Sequence, residues 1–297
     1  MLTHHFQSPT PPGHVAVIGA GGFVGKATTK RLLASGVPVV SIARKDVDLL
    51  SSEASAALTS MLQQCDALVM IAAQAPVKNS GMLIDNLRMM ATLCAALNSV
   101  QVKQVLYVSS DAVYADADVP LIESSCAQPG SLHGVMHLAR EVMLAEACKF
   151  PLCILRPTLI YGANDPHNGY GPNRFRRLAQ RGEEIVLFGD GEERRDHVFI
   201  DDVAEVIVRC IAHRSEGILN IATGRVTSFR EIAEIIAKMA PQPPAVKSTS
   251  RLGPMPHRGY RAFDASSTAE AFPDFRYTSL EIGLELSRNQ EFNNGRN

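Results

Sequence analysis

The sequence predicts an α/β fold: a doubly wound parallel sheet followed by a smaller C-terminal α/β lobe. Three observations predict it. Short apolar runs alternate with longer segments of helical period from residue 14 onward, and a glycine-rich turn follows the first run. After about residue 157 the composition changes, because Gly, Pro and Asn become more frequent.

Five apolar runs in the first half are predicted to be buried parallel strands. Each is short and is followed by a segment of helical period, as in β-α units. The strands are HVAVIGA, VPVVSIA, DALVMIAA, VKQVLYVSS and PLCILRP. The helices lie near residues 23 to 35, 51 to 63, 81 to 98 and 131 to 148. Residues 13–160 should therefore form mainly one domain, preceded by a loose lead-in.

The second half is predicted to form a less regular lobe. Its strand-like runs are EEIVLFG, DHVFI and EGILNIA. Its helices are predicted near residues 172 to 181, 201 to 212, 227 to 239 and 278 to 287. Because the chain keeps returning to sheet between glycine- and proline-rich loops, residues 161–290 should be interleaved with the first domain.

The bulk composition is that of a soluble globular protein. The 297 residues are 46% hydrophobic and 20% charged, and the mean hydropathy is +0.02. A formal net charge of -1 without a long basic run argues against binding to nucleic acid or a membrane surface. Six cysteines without a C-x-x-C pair indicate reduced thiols, and no segment resembles a signal peptide or membrane span. We therefore expect a cytoplasmic protein.

The first predicted strand leads into the glycine-rich turn GAGGFVG. Gly19, Gly22 and Gly25 have the spacing G-x-x-G-x-x-G and precede a helical segment. Such glycines allow a tight bend, close approach of a pyrophosphate and close packing of the helix on the strand, as in the Rossmann dinucleotide-binding unit. Phe23 and Val24, at the start of the helix, complete the predicted cofactor site.

The end of the second predicted strand indicates which dinucleotide is bound. A carboxylate there favours NAD, whereas a cation favours the additional phosphate of NADP. Arg44 and Lys45 occupy the place of the acid, so NADP(H) is predicted, with NAD(H) as the alternative. Both cations could instead be solvated, and Asp46 or Asp48 could contact the adenosine.

Six stretches, in order along most of the chain, carry a family resemblance: GAGGFVG, DALVMIAA, VSSDAVYA, LRPTLIYG, FGDGEERRDHVFIDDVAEVI and LNIATGRVTSFREIAEII. Together they resemble the extended short-chain dehydrogenase/reductase family, in its branch of NAD(P)-dependent nucleotide-sugar epimerases, dehydratases and reductases. The resemblance implies a nucleoside diphosphate sugar as substrate and hydride transfer at a sugar carbon, either in net reduction or in epimerisation through a ketone. It also places Ala72 and Ala73 beside the cofactor.

The family resemblance implies a Ser or Thr, a Tyr that carries the proton and a Lys that holds the cofactor ribose. Ser110 matches the first role. The family's Y-G-x-x-K segment corresponds to HGVMH, so His133 replaces Tyr and His137 replaces Lys. A neutral imidazole exchanges protons near neutrality, so His133 could act alone as general acid or base, and His137 could hydrogen-bond the ribose.

Other interpretations of the histidine pair remain open. The chain could be a cofactor-binding pseudoenzyme with a regulatory or scaffold role. His133 and His137 have the i, i+4 spacing of metal ligands, but no third ligand stands at suggestive spacing, so no metal is predicted. They could also be exposed helix residues.

Two further residues are candidates near Ser110. Asp111 stands where resembling 4,6-dehydratases carry Thr-Asp-Glu, but Ala112 breaks the acid pair and disfavours that activity. Asp111 could contact a sugar hydroxyl or cap the strand end. Tyr114 could donate a proton or pack beneath the site.

The resemblance assigns Arg195 to the substrate diphosphate, which a guanidinium can bind through two hydrogen bonds. Asn173, Arg174 and Arg261 are further candidates, and each could equally be a solvated loop residue. Segments 81 to 98 and 131 to 148 match the helices through which the family forms homodimers. Their apolar faces fit either a dimer interface or core packing: Met82, Met89, Met90, Leu93, Met136, Met143 and Leu144.

Overall fold

The first half of the chain forms successive β-α units in the computed structural model, which describes residues 2–294 and the side chains of residues 2–290. All of the strands and helices predicted for this half are present. The strands are β1 (Thr3–His4), β2 (Val15–Ile18), β3 (Val39–Ile42), β4 (Ala67–Met70), β5 (Gln104–Val108) and β6 (Leu152–Pro157). The helices are α1 (Phe23–Ala34), α2 (Ala54–Leu62), α3 (Ser80–Leu97) and α4 (Leu132–Ala147).

The second half contains shorter elements. Its strands are β7 (Leu159–Tyr161), β8 (Ile185–Phe188), β9 (Arg194–Phe199), β10 (Ser215–Ile221), β11 (Val226–Ser228), β12 (Val246–Thr249) and β13 (Tyr260–Arg261). Its helices are α5 (Pro172–Gln180), α6 (Ile200–Ala212), α7 (Phe229–Met239), α8 (Ser266–Ala271) and α9 (Leu280–Asn294). The sequence did not predict β7, β11, β12, β13 or α8, because such short segments carry too little periodicity.

The large sheet has the strand order β1-β10-β6-β5-β4-β2-β3. All neighbours within it are parallel except β1, which pairs antiparallel with β10. β3 lies on one side of β2 and β4 lies on the other, so the order of the strands reverses direction at β2. This arrangement confirms the predicted doubly wound fold and opens a crevice at the carboxyl ends of β2 and β4.

Strand β2 shows why the central strands read as continuous apolar runs. Ala16 and Ile18 belong to the core that packs against α2 and α3, whereas Val15 and Val17 belong to the core that packs against α1 and α6. Alternate side chains thus enter cores on opposite faces of the sheet, and neither face meets solvent.

A smaller set of strands forms the second lobe. Strands β11, β9 and β13 are neighbours, with β7 paired to β9, and β8 pairs with β12. Helices α5 and α7 cover them with a core that includes Phe175, Phe199 and Phe229. Strand β10, however, returns to the large sheet beside β6. Residues of β9 and α5 line one cavity with residues that follow β4 and β5, so the lobe stands at the carboxyl end of the large sheet.

The amino-terminal segment is part of the large sheet. Thr3 pairs with Glu216, and the backbone N–H of Phe6 donates to the His213 carbonyl at 3.0 Å. The His4 ring also hydrogen-bonds the Ser215 hydroxyl at 2.8 Å. The expectation of a loose lead-in is therefore wrong here, because the segment satisfies backbone groups along the free edge of β10. No helix within residues 2–294 is both long and apolar enough to cross a bilayer.

Candidate active site

A cavity of about 1020 Å³ opens at the carboxyl ends of the central strands. Its walls come from the glycine-rich turn, the ends of β3, β4 and β5, the start of α4, and the β9 and α5 region of the second lobe. Pockets for one small ligand typically measure about 300–1,000 Å³. This cavity is thus large enough for an extended ligand or for two ligands side by side.

The glycine-rich turn forms one end of the cavity. Gly19 has a φ of +94°, and a Cβ there would lie 2.7 Å from the backbone nitrogen of Ala72. A Cβ on Gly25 would overlap the Gly19 carbonyl, so α1 packs directly on the turn. Gly22 precedes the first residue of α1, whose free N–H groups attract anions, so this cradle fits a dinucleotide pyrophosphate. The wall here includes Gly19, Gly22, Phe23, Val24, Ala72 and Ala73.

Charged side chains follow β3 at the rim of the cavity. Arg44, Lys45 and Asp48 all line it. The Arg44 guanidinium is 79% exposed and lies 3.5 Å from the Asp48 carboxylate, whereas Asp46 accepts a hydrogen bond from the Ala43 backbone within the turn. The ion pair between Arg44 and Asp48 is exposed and therefore contributes little, so Arg44 can exchange it for a ligand.

Ser109 and Ser110 follow β5 and both line the cavity, but the Ser109 hydroxyl is bonded to a buried partner. The Ser109 hydroxyl donates to Glu141 at 2.5 Å, and the Ser110 Oγ accepts from the Ala112 backbone at 3.2 Å. Asp111 also lines the cavity, but the Arg261 Nε donates to its carboxylate at 3.1 Å. The Ser110 hydroxyl donates to the Asp111 carboxylate at 3.4 Å, a long hydrogen bond that a ligand can replace, so Ser110 is the hydroxyl available to a ligand.

His133 is placed by the close packing of α4 on the segment after Ser110. Ser131 caps α4 by accepting from the Gly134 backbone at 3.2 Å, and a Cβ on Gly134 would overlap the Ala112 carbonyl oxygen. His133 lines the cavity, and its buried Nδ1 has no hydrogen-bond partner among the described residues. Burial lowers the pKa of His133 below 6.5, against the opposing effect of Asp111. It is a neutral imidazole at pH 7.

His137 lies one turn further along α4 and also lines the cavity. Its ring is edge-on to that of His133, with the centroids 4.8 Å apart. The Nδ1 atom hydrogen-bonds the Tyr107 hydroxyl at 2.8 Å. Burial, with His133 and Arg140, holds the pKa of His137 well below 6.5. His137 therefore offers its other nitrogen as a neutral group.

Tyr114 lies outside the residues that line the cavity. Its hydroxyl donates to Asn220 at 2.7 Å and accepts from Arg156 at 2.9 Å. Burial raises its pKa, although Arg156 opposes that shift. Because both hydrogen-bonding directions are used inside the protein, the geometry agrees with packing beneath the site and gives Tyr114 no route to a ligand.

The candidates for substrate binding separate into two groups. Asn173 and Arg195 line the cavity, and Arg195 is paired with Glu193 at 3.3 Å. Arg261 is buried behind Asp111 and does not line it, and Arg174 instead lines a smaller surface cleft on α5. Arg195 is thus the cation that faces the second half of the cavity.

Sequence reasoning missed His197, which also lines the cavity. Its Nδ1 donates to the Arg195 carbonyl at 3.2 Å, which leaves Nε2 as an acceptor; Nε2 is buried and has no partner within the described residues. Burial, followed by Arg195, lowers the pKa of His197 to about 3. The available signal was its position two residues after Arg195 on a strand, which puts both side chains on one face.

No group of three or more His, Cys, Asp or Glu side chains in the described part of the chain is arranged to hold a metal ion. His133 and His137 face each other without a third such ligand. The side chains described above offer hydroxyl, imidazole and guanidinium groups to a ligand in the cavity.

Comparison with known sequences gives one family. The model of the NAD dependent epimerase/dehydratase family matches residues 15–222. A UDP-glucose 4-epimerase of Mycolicibacterium smegmatis is 31% identical over 255 residues, covering 74% of this chain and 80% of that protein. A dTDP-L-rhamnose 4-epimerase of Burkholderia thailandensis is 37% identical over 139 residues, covering 44% of this chain but only 38% of that protein.

Solved structures share the fold over nearly the whole chain. A Bacillus cereus UDP-glucuronic acid 4-epimerase, in complex with UDP-glucuronic acid and NAD, has a TM-score of 0.81 at 20% identity and covers 93% of this chain and 98% of that one. A Thermotoga maritima UDP-glucose 4-epimerase with UDP-glucose has a TM-score of 0.80 at 22% identity and covers 96% and 100%.

Proposed function

This chain belongs to the NAD dependent epimerase/dehydratase family, and from that premise we propose that it epimerises or reduces a nucleoside diphosphate sugar with His133 as the proton carrier. The observation that carries the proposal is that His133 and Ser110 both line the cavity that also contains the dinucleotide cradle. A hydroxyl and a neutral imidazole in one cavity are the groups that proton transfer at a sugar alcohol requires.

The cofactor is held by the glycine-rich turn and the start of α1. We propose that Gly19 and Gly22, which have no side chains, let the pyrophosphate approach the backbone at the start of α1 closely, and that His137 donates to a ribose hydroxyl. When bound, the nicotinamide supplies reversible hydride exchange. The Bacillus cereus structure contains NAD, whereas Arg44 and Lys45 support a preference of this chain for NADP(H).

A binding titration tests the cofactor preference. The dissociation constant for NADP(H) should be smaller than that for NAD(H). Arg44→Gln should lower the ratio of the NAD(H) constant to the NADP(H) constant, because the variant lacks the guanidinium that contacts the additional phosphate. Tighter binding of NAD(H) by the unaltered protein would contradict the assignment of Arg44 and Lys45.

The substrate is proposed to occupy the half of the cavity formed by the second lobe. The Arg195 guanidinium suits a diphosphate, and the His197 Nε2 accepts a hydrogen bond from an adjacent O–H or N–H of the nucleotide. Asn173 already bonds the Gly162 backbone at 3.1 Å and Asp165 at 2.8 Å, so it shapes the wall. The sequence relatives act on UDP- and dTDP-linked sugars by their names.

The proton step follows from the state of His133. Its lowered pKa keeps the imidazole neutral at pH 7, so it can accept the proton of a sugar hydroxyl while Ser110 hydrogen-bonds the same oxygen. In epimerisation, His133 returns that proton to the carbonyl oxygen when the ketone is reduced on the opposite face of the sugar. In net reduction of a supplied keto sugar, His133 would first take a proton from solvent and then pass it to the carbonyl oxygen.

Turnover of UDP- and dTDP-hexoses tests this function. His133→Ala should lower kcat by about 10²–10⁴, the usual contribution of a general acid or base, without weakening cofactor binding comparably. The wild-type rate of sugar oxidation should hold at neutral pH and fall only as pH drops below 6.5, because burial lowers the pKa of His133 and only the protonated ring cannot accept a proton. His5→Ala, on the surface next to Glu216, provides the control. An unchanged kcat in His133→Ala would refute the role.

A cofactor-binding pseudoenzyme is the second candidate. It is favoured by one observation: the glycine cradle is intact, whereas no Lys lines the His133 end of the cavity in the described part of the chain. A protein of this kind would bind the dinucleotide and the nucleotide sugar without multiple turnover. Repeated conversion of any nucleotide sugar excludes it.

A further inference from the structure

The contacts behind His137 reveal a residue that controls it. His137 is 6% exposed, and Tyr107 on β5, which hydrogen-bonds its Nδ1 at 2.8 Å, is completely buried. The bond joins α4 to the sheet across residues that are far apart in sequence. No water can replace either partner at that depth without a new cavity.

We propose that Tyr107 is a positioning residue that fixes the tautomer of His137, so that Nε2–H points to the cofactor ribose. This inference rests on the proposed function, because it concerns how His137 takes the place of the family's Lys. Tyr107 acts through His137 and does not itself line the cavity.

The direction of the hydrogen bond follows from the acidity of the two groups. Burial raises the pKa of Tyr107 to about 12, so the phenol keeps its proton at any physiological pH. The phenol is still a stronger acid than a neutral imidazole N–H, and the better donor is the stronger acid. Nδ1 is therefore the acceptor, and the imidazole proton is on Nε2.

Arg140 provides the second half of the arrangement. It is fully buried one turn beyond His137, with its guanidinium 5.1 Å from the centre of the Tyr107 ring. Its Nη2 donates to the Ala72 carbonyl at 2.8 Å, and no carboxylate pairs with it within residues 2–290. Ala72 belongs to the cavity wall, so this cation lies directly behind the cofactor site.

The charged and titratable groups facing His137 are therefore Arg140 and His133 on its own helix and Tyr107 on β5. The unpaired guanidinium disfavours a second positive charge on His137. The positive charge that a Lys would bring to this position thus comes from Arg140, while His137 remains a neutral donor of fixed direction.

Histidine NMR on the full-length protein tests the proposal directly. In the wild type, long-range ¹H–¹⁵N spectra should show His137 as the Nε2–H tautomer with a hydrogen-bonded Nδ1. In Tyr107→Phe the Nδ1 signal should move to that of an unbonded nitrogen, and the dissociation constant for the dinucleotide should increase about five- to tenfold, the usual effect of one lost hydrogen bond. Tyr277→Phe removes the hydroxyl of a half-buried tyrosine that bonds Thr268 and does not line the cavity, and it should change neither measurement.

The outcomes separate this inference from the function on which it rests. A wild-type His137 protonated on Nδ1, or unaltered dinucleotide affinity in Tyr107→Phe, overturns the role of Tyr107. Failure of the wild type to bind any dinucleotide overturns the proposed function instead, and the tautomer measurement still decides the hydrogen-bond direction. If Tyr107→Phe does not fold, Arg140→Met gives the second test: the His137 titration midpoint should rise, and an unchanged midpoint contradicts the account.

Discussion

Three of the four histidines that line the cavity have different anchors and therefore different chemistry. His133 has an unpartnered Nδ1, His137 is bonded to Tyr107, and His197 donates to a backbone carbonyl. All three have pKa values lowered chiefly by burial. His133 has a neutral ring and a nitrogen without a partner among the described residues, and it lines the same cavity as Ser110, which suits it to proton transfer.

The lowered pKa values also predict acid sensitivity. The pKa of His197 falls to about 3 in the folded protein, whereas an unfolded chain has the ordinary value near 6.5. The unfolded state thus binds more protons below pH 6.5, and stability is lost as pH falls from 6.5 towards 3, by up to about 1.4 kcal/mol per pH unit for this group.

His197→Phe should therefore reduce the loss of Tm between pH 7 and pH 5. The substitution keeps an aromatic ring and removes the titrating group. Measurement of Tm at several pH values by differential scanning fluorimetry checks this, with His5→Phe on the surface as the matched control. Equal acid sensitivity in wild type and His197→Phe would show that His197 titrates normally.

At the level of single residues, local sequence could identify the cavity wall but not its hydrogen-bond partners. The spacing of His133 and His137 placed both on one helical face, and strand alternation could have added His197 to Arg195. The Tyr107 contact with His137 joins residues 30 positions apart, and no local pattern contains it. The sequence shows the charge of Arg261, which made it a candidate for substrate binding. It does not show that Arg261 pairs with Asp111.

Among the helices and strands, the start of α4 determines where His133 lies in the cavity. Its first turn lies against the backbone at Ala112, a contact that only a residue without a side chain allows at position 134. The same helix is joined to the sheet by Glu141, which pairs with Arg156 at 2.6 Å in the interior. The position of His133 therefore depends on backbone packing at one end of α4 and an ion pair further along.

Gly134→Ala should disturb both stability and turnover. The added methyl meets the Ala112 carbonyl, so we expect a loss of about 1–3 kcal/mol in unfolding free energy, together with a lower kcat as His133 is displaced. Chemical denaturation and steady-state kinetics measure the two effects. Gly130→Ala is the control, because nothing lies within 4 Å of a Cβ there. Equal behaviour of the two variants would contradict the packing argument.

Helix faces were harder to assign from sequence than helices themselves. Met89, Met90, Leu93, Met136 and Leu144 are all buried in the protein core. The apolar residues exposed on α3 and α4 are different ones: Ile84, Leu132, Val135 and Val142. Long apolar side chains occur on both faces of these helices, so periodicity alone could not distinguish an interface from a core.

For the whole molecule, these exposed residues support the proposal of a homodimer. Helices α3 and α4 pack side by side, and Val142 is 63% exposed on their outer surface. Leu132 and Val135 lie on the same face of α4 at helical spacing. A second copy of this surface would bury them in a four-helix arrangement.

Val142→Asp should convert dimers to monomers, because the interface would have to desolvate a carboxylate. Size-exclusion chromatography with light scattering at micromolar concentration measures the change. Leu252→Asp is the control, since Leu252 is 97% exposed away from α3 and α4. A monomeric wild type, or a Val142→Asp variant that stays dimeric, would exclude this interface.

The pairing of β1 with β10 has a practical consequence for handling the protein. Strand β10 would otherwise end the sheet with a row of unpaired backbone groups, the feature through which sheets of separate molecules join and aggregate. Residues 3 and 4 cover part of that row. A purification tag fused close to residue 2, or a shortened amino terminus, would uncover it, so carboxyl-terminal tags are the better choice for keeping the protein in solution.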